Sequence, residues 1–388
     1  MSEIEILNSV DPVGNIILCN DKVYRGINAG YEEEYAQIYN KCKVNGLLGN
    51  FIIPTIIADD FTLEPYQLIF EHELVKPYIY PFEWTLLMHC DAAYTVLDLV
   101  VKLDEIGLGL KDGHRFNIAF HKGRFFWIDF GSIISYKTTH WMIEEFIDSF
   151  IHSIICIDQG IFYKKDIYEC LTEAQKEKYA LARSTIINYG MAGDISNAVT
   201  LLYDWIKIYE HNIKILPYNH VTSTAVLDGL IAFIKTANID RVLVIDGNAA
   251  DISLSLNKYG NSVTVFNADA QYIDSLYFQI RRKITNISPV FIDVTLPDKL
   301  NEGLKWPKAE KRFAAEMAII VNPPGSQCNL EFNKLIQSLK LFSVKYVAIE
   351  VEYPYTTKTI SAIEQSVEIV AVIQDKCNDA TCLIIVKV

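Results

Sequence analysis

An α/β chain of more than one domain is predicted by three observations. The 388 residues exceed what a single hydrophobic core ordinarily organises, so two or three domains are expected. Residues 1–74 read as a small sheet carrying one helix, and 75–215 read as mostly helical. From residue 216 to 388 strands and helices alternate and end in an antiparallel pair, the pattern of a doubly wound, Rossmann-like sheet.

Each element follows from local signals. Ile16–Cys19 and Val23–Ile27 flank Asn20-Asp21-Lys22, a hairpin signal. Glu32–Lys43 has helical spacing, with Tyr35, Ile38 and Tyr39 on one face. Phe51–Ala58 and Gln67–Glu71 read as strands, which makes the opening order β-β-α-β-β. Thr85–Ile106 is a long helix, followed by Gly107 and Gly109 and then a polar loop. Ile118–Phe120 and Phe125–Ile128 form a hairpin turning at His121-Lys122-Gly123. Lys137 to Asn212 is mostly helical, with Trp141, Phe146 and Phe150 as core candidates. A boundary falls at Ile215-Leu216-Pro217, and Val221–Thr236 reads as a helix. Strands are expected at Arg241–Asp246, Ser262–Phe266, Pro289–Asp293, Met317–Val321 and Tyr346–Val351, then a hairpin of Val367–Ile373 with Thr381–Val388.

Composition narrows the class. Hydrophobic residues make up 51% and charged residues 21%, as in globular proteins. The net charge of −13 argues against nucleic-acid or anionic-membrane binding. The 8 cysteines lack paired metal spacing. They read as buried reduced thiols of a cytoplasmic protein. The N-terminus has no basic and apolar signal segment, and no apolar run reaches the roughly 18–20 residues that span a bilayer.

The chemistry-bearing stretch is Lys111-Asp112-Gly113-His114-Arg115-Phe116-Asn117, followed by Asp129-Phe130-Gly131. An Asp, four residues, an Asn and a later Asp is how kinase-type folds hold ATP and its metal. In that reading Asn117 and Asp129 chelate magnesium. Asp112 orients or deprotonates the attacking hydroxyl, and Lys111 balances phosphate charge. Glu71-His72-Glu73-Leu74 falls where a hinge would offer backbone groups to adenine, which makes Glu71 and Leu74 nucleotide-contact candidates. Arg25 is the candidate for contacting phosphate, with Glu33 or Glu34 as its partner. A glycine-rich loop and a Val-Ala-Ile-Lys strand are missing. The residues alone leave phosphotransfer, binding without turnover, and a structural remnant open.

The chain also resembles bacterial two-module proteins of the S-adenosylmethionine-dependent methyltransferase superfamily, in which a kinase-like domain precedes a class I methyltransferase domain. The matching stretches include Asp11-Pro12-Val13-Gly14, Val23-Tyr24-Arg25 and Phe70-Glu71-His72-Glu73. Others are Tyr80-Pro81-Phe82-Glu83-Trp84, Phe126-Trp127-Ile128-Asp129, Ile273-Asp274-Ser275-Leu276-Tyr277 and Gly303-Leu304-Lys305-Trp306. The resemblance implies a kinase-like bilobal α+β domain (lobes 1–74 and 75–215) and a class I methyltransferase domain (216–388).

It also implies a second site. The cofactor turn would be Val244-Ile245-Asp246-Gly247-Asn248-Ala249-Ala250, with Asp246 where a glycine is usual. Asn267 stands where the ribose-binding acid belongs, and Asp269 is a substitute two residues on. Asp293 sits where such folds accept from the adenine amine. Asn322-Pro323-Pro324-Gly325 matches the turn that orients a target amine, except that Gly325 replaces the aromatic residue. The resemblance therefore implies a group-transfer protein of the S-adenosylmethionine-dependent methyltransferase family, acting on a small metabolite or saccharide, with a kinase-like module that binds ATP and magnesium. S-adenosylmethionine, ATP and magnesium are the expected cofactors. A phosphotransferase with a silent methyltransferase-like domain, or a pseudoenzyme serving a protein partner, are the alternatives.

Overall fold

The computed structural model describes residues 4–7, 11–162, 167–217, 222–245, 250–298, 306–321, 329–352, 368–374 and 381–388. The chain forms two compact units, one of Met1–Lys76, Met88–His121 and Phe125–Asn212, the other of Pro77–Leu87, Lys122–Arg124 and Ile213–Val388.

The first unit opens with an antiparallel sheet of β1 (Ile4–Leu7), β2 (Gly14–Cys19), β3 (Lys22–Ile27), β4 (Thr55–Ile57) and β5 (Leu68–His72), in the order β1-β2-β3-β5-β4. β2 and β3 turn through Asn20 and Asp21, both with positive φ (50° and 59°), the backbone a two-residue hairpin requires. β1 is not foreseen in the sequence, because its four residues are all exposed and carry no alternation. Its presence makes the Arg25 strand the third of the sheet rather than the second.

α1 (Glu32–Val44) buries Tyr35, Ile38, Tyr39 and Cys42, a stripe at helical spacing. Its three leading glutamates face the positive end of the helix dipole. Neither Glu33 nor Glu34 makes the expected pair with Arg25. Glu34 accepts from Ser135 Oγ and Glu33 from Gln37 Nε2.

α2 (Leu86–Glu105) is apolar around most of its circumference from Met88 on, with Ala92, Ala93, Val96, Leu97, Leu99, Val100 and Leu103 all at 0% exposure. Such a helix belongs inside a core. Short strands β6 (Gly109–Leu110) and β9 (Ile133–Ile134) pair with each other and bracket the hairpin β7 (Ile118–His121) and β8 (Arg124–Trp127). Helices α3 (His140–Phe146), α4 (His152–Asp158), α5 (Ile167–Cys170), α6 (Glu173–Met191) and α7 (Ile195–Glu210) follow, with a π-helical turn at Ile147–Ile151. Thr172 and Gln175 box the start of α6. Phe146 and Phe150 are buried as expected, but Trp141 is 65% exposed. Met142, Ile143 and Phe146 occupy the inward face of α3, leaving Trp141 outward against His140.

The second unit is a seven-stranded sheet. After α8 (Thr224–Thr236) come β10 (Arg241–Ile245), α9 (Ala250–Lys258), β11 (Ser262–Asn267), α10 (Ala270–Ile280) and β12 (Ile287–Phe291). Then follow α11 (Ala309–Arg312), β13 (Met317–Ile320), α12 (Asn329–Leu341), β14 (Tyr346–Glu352), β15 (Glu368–Gln374) and β16 (Thr381–Lys387). The order is β12-β11-β10-β13-β14-β16-β15, with the first five strands parallel and β16 antiparallel to both its neighbours. Continuous apolar runs such as Val242–Ile245 and Met317–Ile320 are buried, as parallel strands covered on two faces require. The chain moves outward from β10 in one direction to β12 and in the other through β13, so the topological switch point lies between β10 and β13.

Segment 77–87, far from this sheet in sequence, belongs to the same unit. Glu83 and Arg312 form a buried ion pair at 2.5 Å, and Arg312 Nη1 also reaches Tyr78 O at 2.8 Å. The Arg312 guanidinium lies 3.9 Å from the Tyr80 ring centroid, and Tyr80 packs on Trp306 at 5.1 Å. Asp274 Oδ1 accepts from Leu87 N at 3.1 Å, while Ser275 Oγ accepts from Leu216 N at 2.8 Å. Two of the resembling stretches thus pack on each other through Tyr80 and Trp306, while Asp274 and Ser275 of a third anchor Leu87 and Leu216. Burial pushes the Glu83 carboxyl up, and Arg312 counters it.

Removing one member of such a pair strands the other charge. Arg312→Met is expected to cost about 3–5 kcal/mol of stability, read as a lower unfolding midpoint in urea. The double variant Glu83→Leu/Arg312→Met should recover most of that loss, and a double variant no better than the single would contradict the pairing.

Candidate functional site

The first unit gathers its polar residues around one ion pair. Arg25 projects from β3, the third strand of the sheet, and is 5% exposed. Its Nη2 donates to Asp129 Oδ1 at 2.6 Å. Asp129 caps the tight turn Phe130–Ser132, and the same oxygen accepts from Gly131 N at 3.2 Å. Trp127 Nε1 donates to the Asp129 carbonyl at 2.8 Å and fixes the backbone there. Gly131 is required by this packing, since a Cβ on it would lie 2.4 Å from Arg25 Nη1. Phe130 is fully buried against Phe70 and Tyr35, and Tyr35 Oη donates to Gly131 O at 2.7 Å. Helix α1 therefore holds the Asp-Phe-Gly turn through Tyr35, at the place where a glutamate partner for Arg25 was expected.

The Asp112 loop lies against the same turn. Lys111 N donates to Ser132 O at 3.0 Å, which ties the loop to the turn. Lys111 Nζ pairs with Asp11 Oδ2 at 2.8 Å, and Asp11 Oδ1 accepts from Val13 N. Gly113 N donates to Glu145 Oε2 at 2.7 Å. Asn117 ends a 3-10 turn, and its carbonyl accepts from Ile128 N at 2.8 Å, so the β7–β8 hairpin returns the chain to Asp129. Asp11 and Glu145 were not among the residues picked out from the sequence for this site. The only signal was the Asp11-Pro12-Val13-Gly14 stretch of the resemblance.

Burial raises the Asp112 carboxyl above its ordinary 3.8, opposed by Lys111 and reinforced by the negative charges of Glu145 and Asp129. A half-buried carboxylate of raised pKa suits proton acceptance from a hydroxyl. Neighbouring His72 bonds Thr55 Oγ1 through Nδ1 at 2.9 Å, and burial with Arg25 nearby holds it down to about 3, so it is neutral. Arg25 Nε and Nη1 and Asn117 Nδ2 are buried with no hydrogen-bond partner.

Among the described residues no group of three or more His, Cys, Asp or Glu side chains converges as a metal cradle. In the kinase-type reading, Asn117 and Asp129 are the side chains that would hold a metal. That suits magnesium, which keeps several waters and takes its remaining oxygens from substrate phosphates.

The hinge candidates lie on and just beyond β5. The Glu71 carboxylate pairs with Lys22 at 2.9 Å, and its backbone runs between β3 and β4 as a central strand. Glu73 N donates to Pro54 O at 2.9 Å, and Leu74 follows beyond the strand.

In the second unit, Asp246, Gly247, Asn248 and Asn322 lie outside the described residues. Asn267 ends β11 and is 6% exposed. Its amide oxygen accepts from Asp269 N at 2.7 Å, and its Nδ2 has no hydrogen-bond partner. Asp269 caps α10 through Gln271 N at 2.9 Å. Asp293 lies two residues past β12, which ends at Phe291 rather than at Asp293, and it accepts from Thr295 N and Oγ1. These side chains stand at the carboxyl ends of β11 and β12, each holding its own local turn.

Neither a family model nor the sequence of a curated protein matches this chain. Solved structures similar to part of it include the N-methyltransferase NodS from Bradyrhizobium japonicum WM9, at 12% identity and TM-score 0.30, over 42% of this chain and 93% of that one. Magnesium protoporphyrin IX methyltransferase from Synechocystis PCC 6803, with bound SAM, is similar at 8% identity and TM-score 0.31, over 44% and 86%. An rRNA methylase from Escherichia coli is similar at 17% identity and TM-score 0.28, over 60% and 88%. No helix among the described residues is long and apolar enough to cross a membrane.

The raised Asp112 carboxyl opposes folding once it ionises. That cost is absent below 3.8 and grows as pH rises through the elevated folded value. Asp112→Asn is therefore expected to raise the thermal midpoint at neutral pH, with the gain shrinking as pH falls toward 3.8. A midpoint unchanged or lowered at neutral pH would show that Asp112 is not strained in the native state.

Proposed function

We propose that this chain is a group-transfer protein. In this reading its first unit binds a magnesium nucleotide in the manner of kinases and phosphorylates a hydroxyl of a small metabolite or saccharide. The observation that carries the reading is the Arg25–Asp129 pair, set beside Asp112 and Asn117. Kinase-type sites place a basic residue on the third strand, a metal-binding Asp in an Asp-Phe-Gly turn, and an Asp and Asn on the catalytic loop. In support of this reading, Arg25 lies on the third strand of the sheet, Asp129 in an Asp-Phe-Gly turn, and Asp112 and Asn117 on the preceding loop. Arg25 differs from the usual lysine in offering a fork of donors, and it keeps unpartnered N–H groups while already holding Asp129.

Each residue then has a role. Asp112 receives the proton of the attacking hydroxyl, helped by its raised pKa. Lys111 and Arg25 balance phosphate charge, and each exchanges part of its present carboxylate contact to do so. Asn117 and Asp129 would hold magnesium, which when bound neutralises the phosphates and fixes their orientation. Tyr35 and Phe130 keep the Asp129 turn in position.

A second reading concerns the other unit. The switch point between β10 and β13 favours a nucleotide-like ligand at the carboxyl edge of the sheet. Among the described residues Asp269 and Asp293 are carboxylates near that edge, in accord with S-adenosylmethionine as the ligand. Asn267 brings a donor rather than an acceptor, so a ribose there would rely on Asp269.

Thermal-shift titrations with magnesium–ATP, S-adenosylmethionine and S-adenosylhomocysteine separate the readings, since a ligand that binds the native state raises its midpoint. Asp112→Asn should reduce magnesium-dependent ATP turnover by about 10²–10⁴-fold with little change in the KM for ATP. Asp129→Asn should abolish the magnesium dependence of the shift. Turnover unchanged in both variants would remove the phosphotransfer reading.

A further inference from the structure

The helical part of the first unit holds a feature that phosphoryl transfer does not use. Cys156, near the end of α4, and Cys170, the last residue of α5, are both buried free thiols. The Cys156 thiol donates to Cys170 Sγ at 3.3 Å. The two helices pack directly on each other, so the sulfurs meet without any element intervening. Fourteen positions separate them in sequence, and neither lies in a recognisable cysteine motif.

Two surroundings matter. Ile155 and Leu171, the chain neighbours of the two cysteines, line a cleft of about 460 Å³ whose other walls include Tyr179, Ile186 and Trp205. Arg115 is partly buried, its backbone N donating to Ser149 Oγ at 2.8 Å and its guanidinium reaching Ser153 Oγ. Burial and the hydrogen bond to Cys170 push the Cys156 thiol up to about 12, a rise that the nearby Arg115 guanidinium opposes.

We propose that Cys156 and Cys170 form a reversible disulfide on exposure to a hydroperoxide, and that this closure is a modification site of the helical region. The thiolate of Cys156 attacks the peroxide, whose O–O bond breaks to give a sulfenic acid and an alcohol or water. The Cys170 sulfur then attacks the sulfenic sulfur, the S–S bond forms, and a second water leaves. Two thiol sulfurs each lose one electron, and the peroxide gains two. The product ties α4 to α5. Its distance in sequence from the catalytic-type loop is bridged by Arg115, which precedes Asn117 by two residues.

The test uses the full chain, treated with hydrogen peroxide, denatured, alkylated and mapped by mass spectrometry. The expected result is a loss of two alkylatable thiols from the 8 present. A mass decrease of about 2 Da, reversed by dithiothreitol, should accompany it, with one linked peptide containing Cys156 and Cys170. Cys156→Ser should abolish both the thiol loss and the link. The proposal is overturned if every thiol stays alkylatable, if the linked peptide joins other cysteines, or if either residue accumulates as sulfinic or sulfonic acid without a link.

Discussion

The buried ion pair between Arg25 and Asp129 is the constraint on which the first unit depends. Arg25 is 5% exposed, so its charge must be met inside the protein. A lone buried guanidinium would be prohibitively costly, and its partner must come with fixed geometry. Asp129 meets that requirement because Trp127, Gly131 and the β7–β8 hairpin fix its backbone. Gly131 has no side chain because one would occupy the guanidinium's place. Phe130 and Tyr35 then tie the turn to the sheet and to α1. A strand, a helix and a loop are thereby joined at a single charge pair, with Asp112, Lys111 and Asn117 alongside.

The pair also explains why the neighbouring groups behave as they do. Burial holds His72 neutral and raises Asp112, and the positive and negative members of the pair add to each shift in turn. Lys111 is held by Asp11 rather than left free for a ligand. Each cation of the cluster therefore has a carboxylate partner before any nucleotide arrives, while Arg25 still has unpartnered donors. Binding of a phosphate-bearing ligand would rearrange existing pairs rather than fill an empty charge field.

Much of this was legible in the sequence, in proportion to how local the signal was. The Asp112–Asn117 spacing and the hairpin back to Asp129 are short-range features, and the structure has the hairpin within a residue or two of its expected ends. The parallel strands of the second unit announced themselves as apolar runs. What sequence reading lacked was long-range pairing. Arg25 was paired with a nearby glutamate, whereas its partner lies 104 residues away. β1 was missed because all its side chains are exposed, and Trp141 was placed in the core because its helical phase was ambiguous beside Met142 and Ile143. The stretch Tyr80–Trp84 drew notice as a motif, yet Glu83 acts as the buried partner of Arg312 and Asp274 as an acceptor for the Leu87 N–H. A sequence motif of this kind reports packing as readily as chemistry.

In the proposed function Asn117 and Asp129, beside Arg25, hold a metal only together with a nucleotide. Electron paramagnetic resonance of Mn(II), used as a magnesium substitute, tests it directly. The account predicts that the free-ion signal is lost on adding protein and ATP together, more than with either alone, and that Asp129→Asn restores it. A Mn(II) signal that the protein leaves unchanged in the presence of ATP would contradict the account.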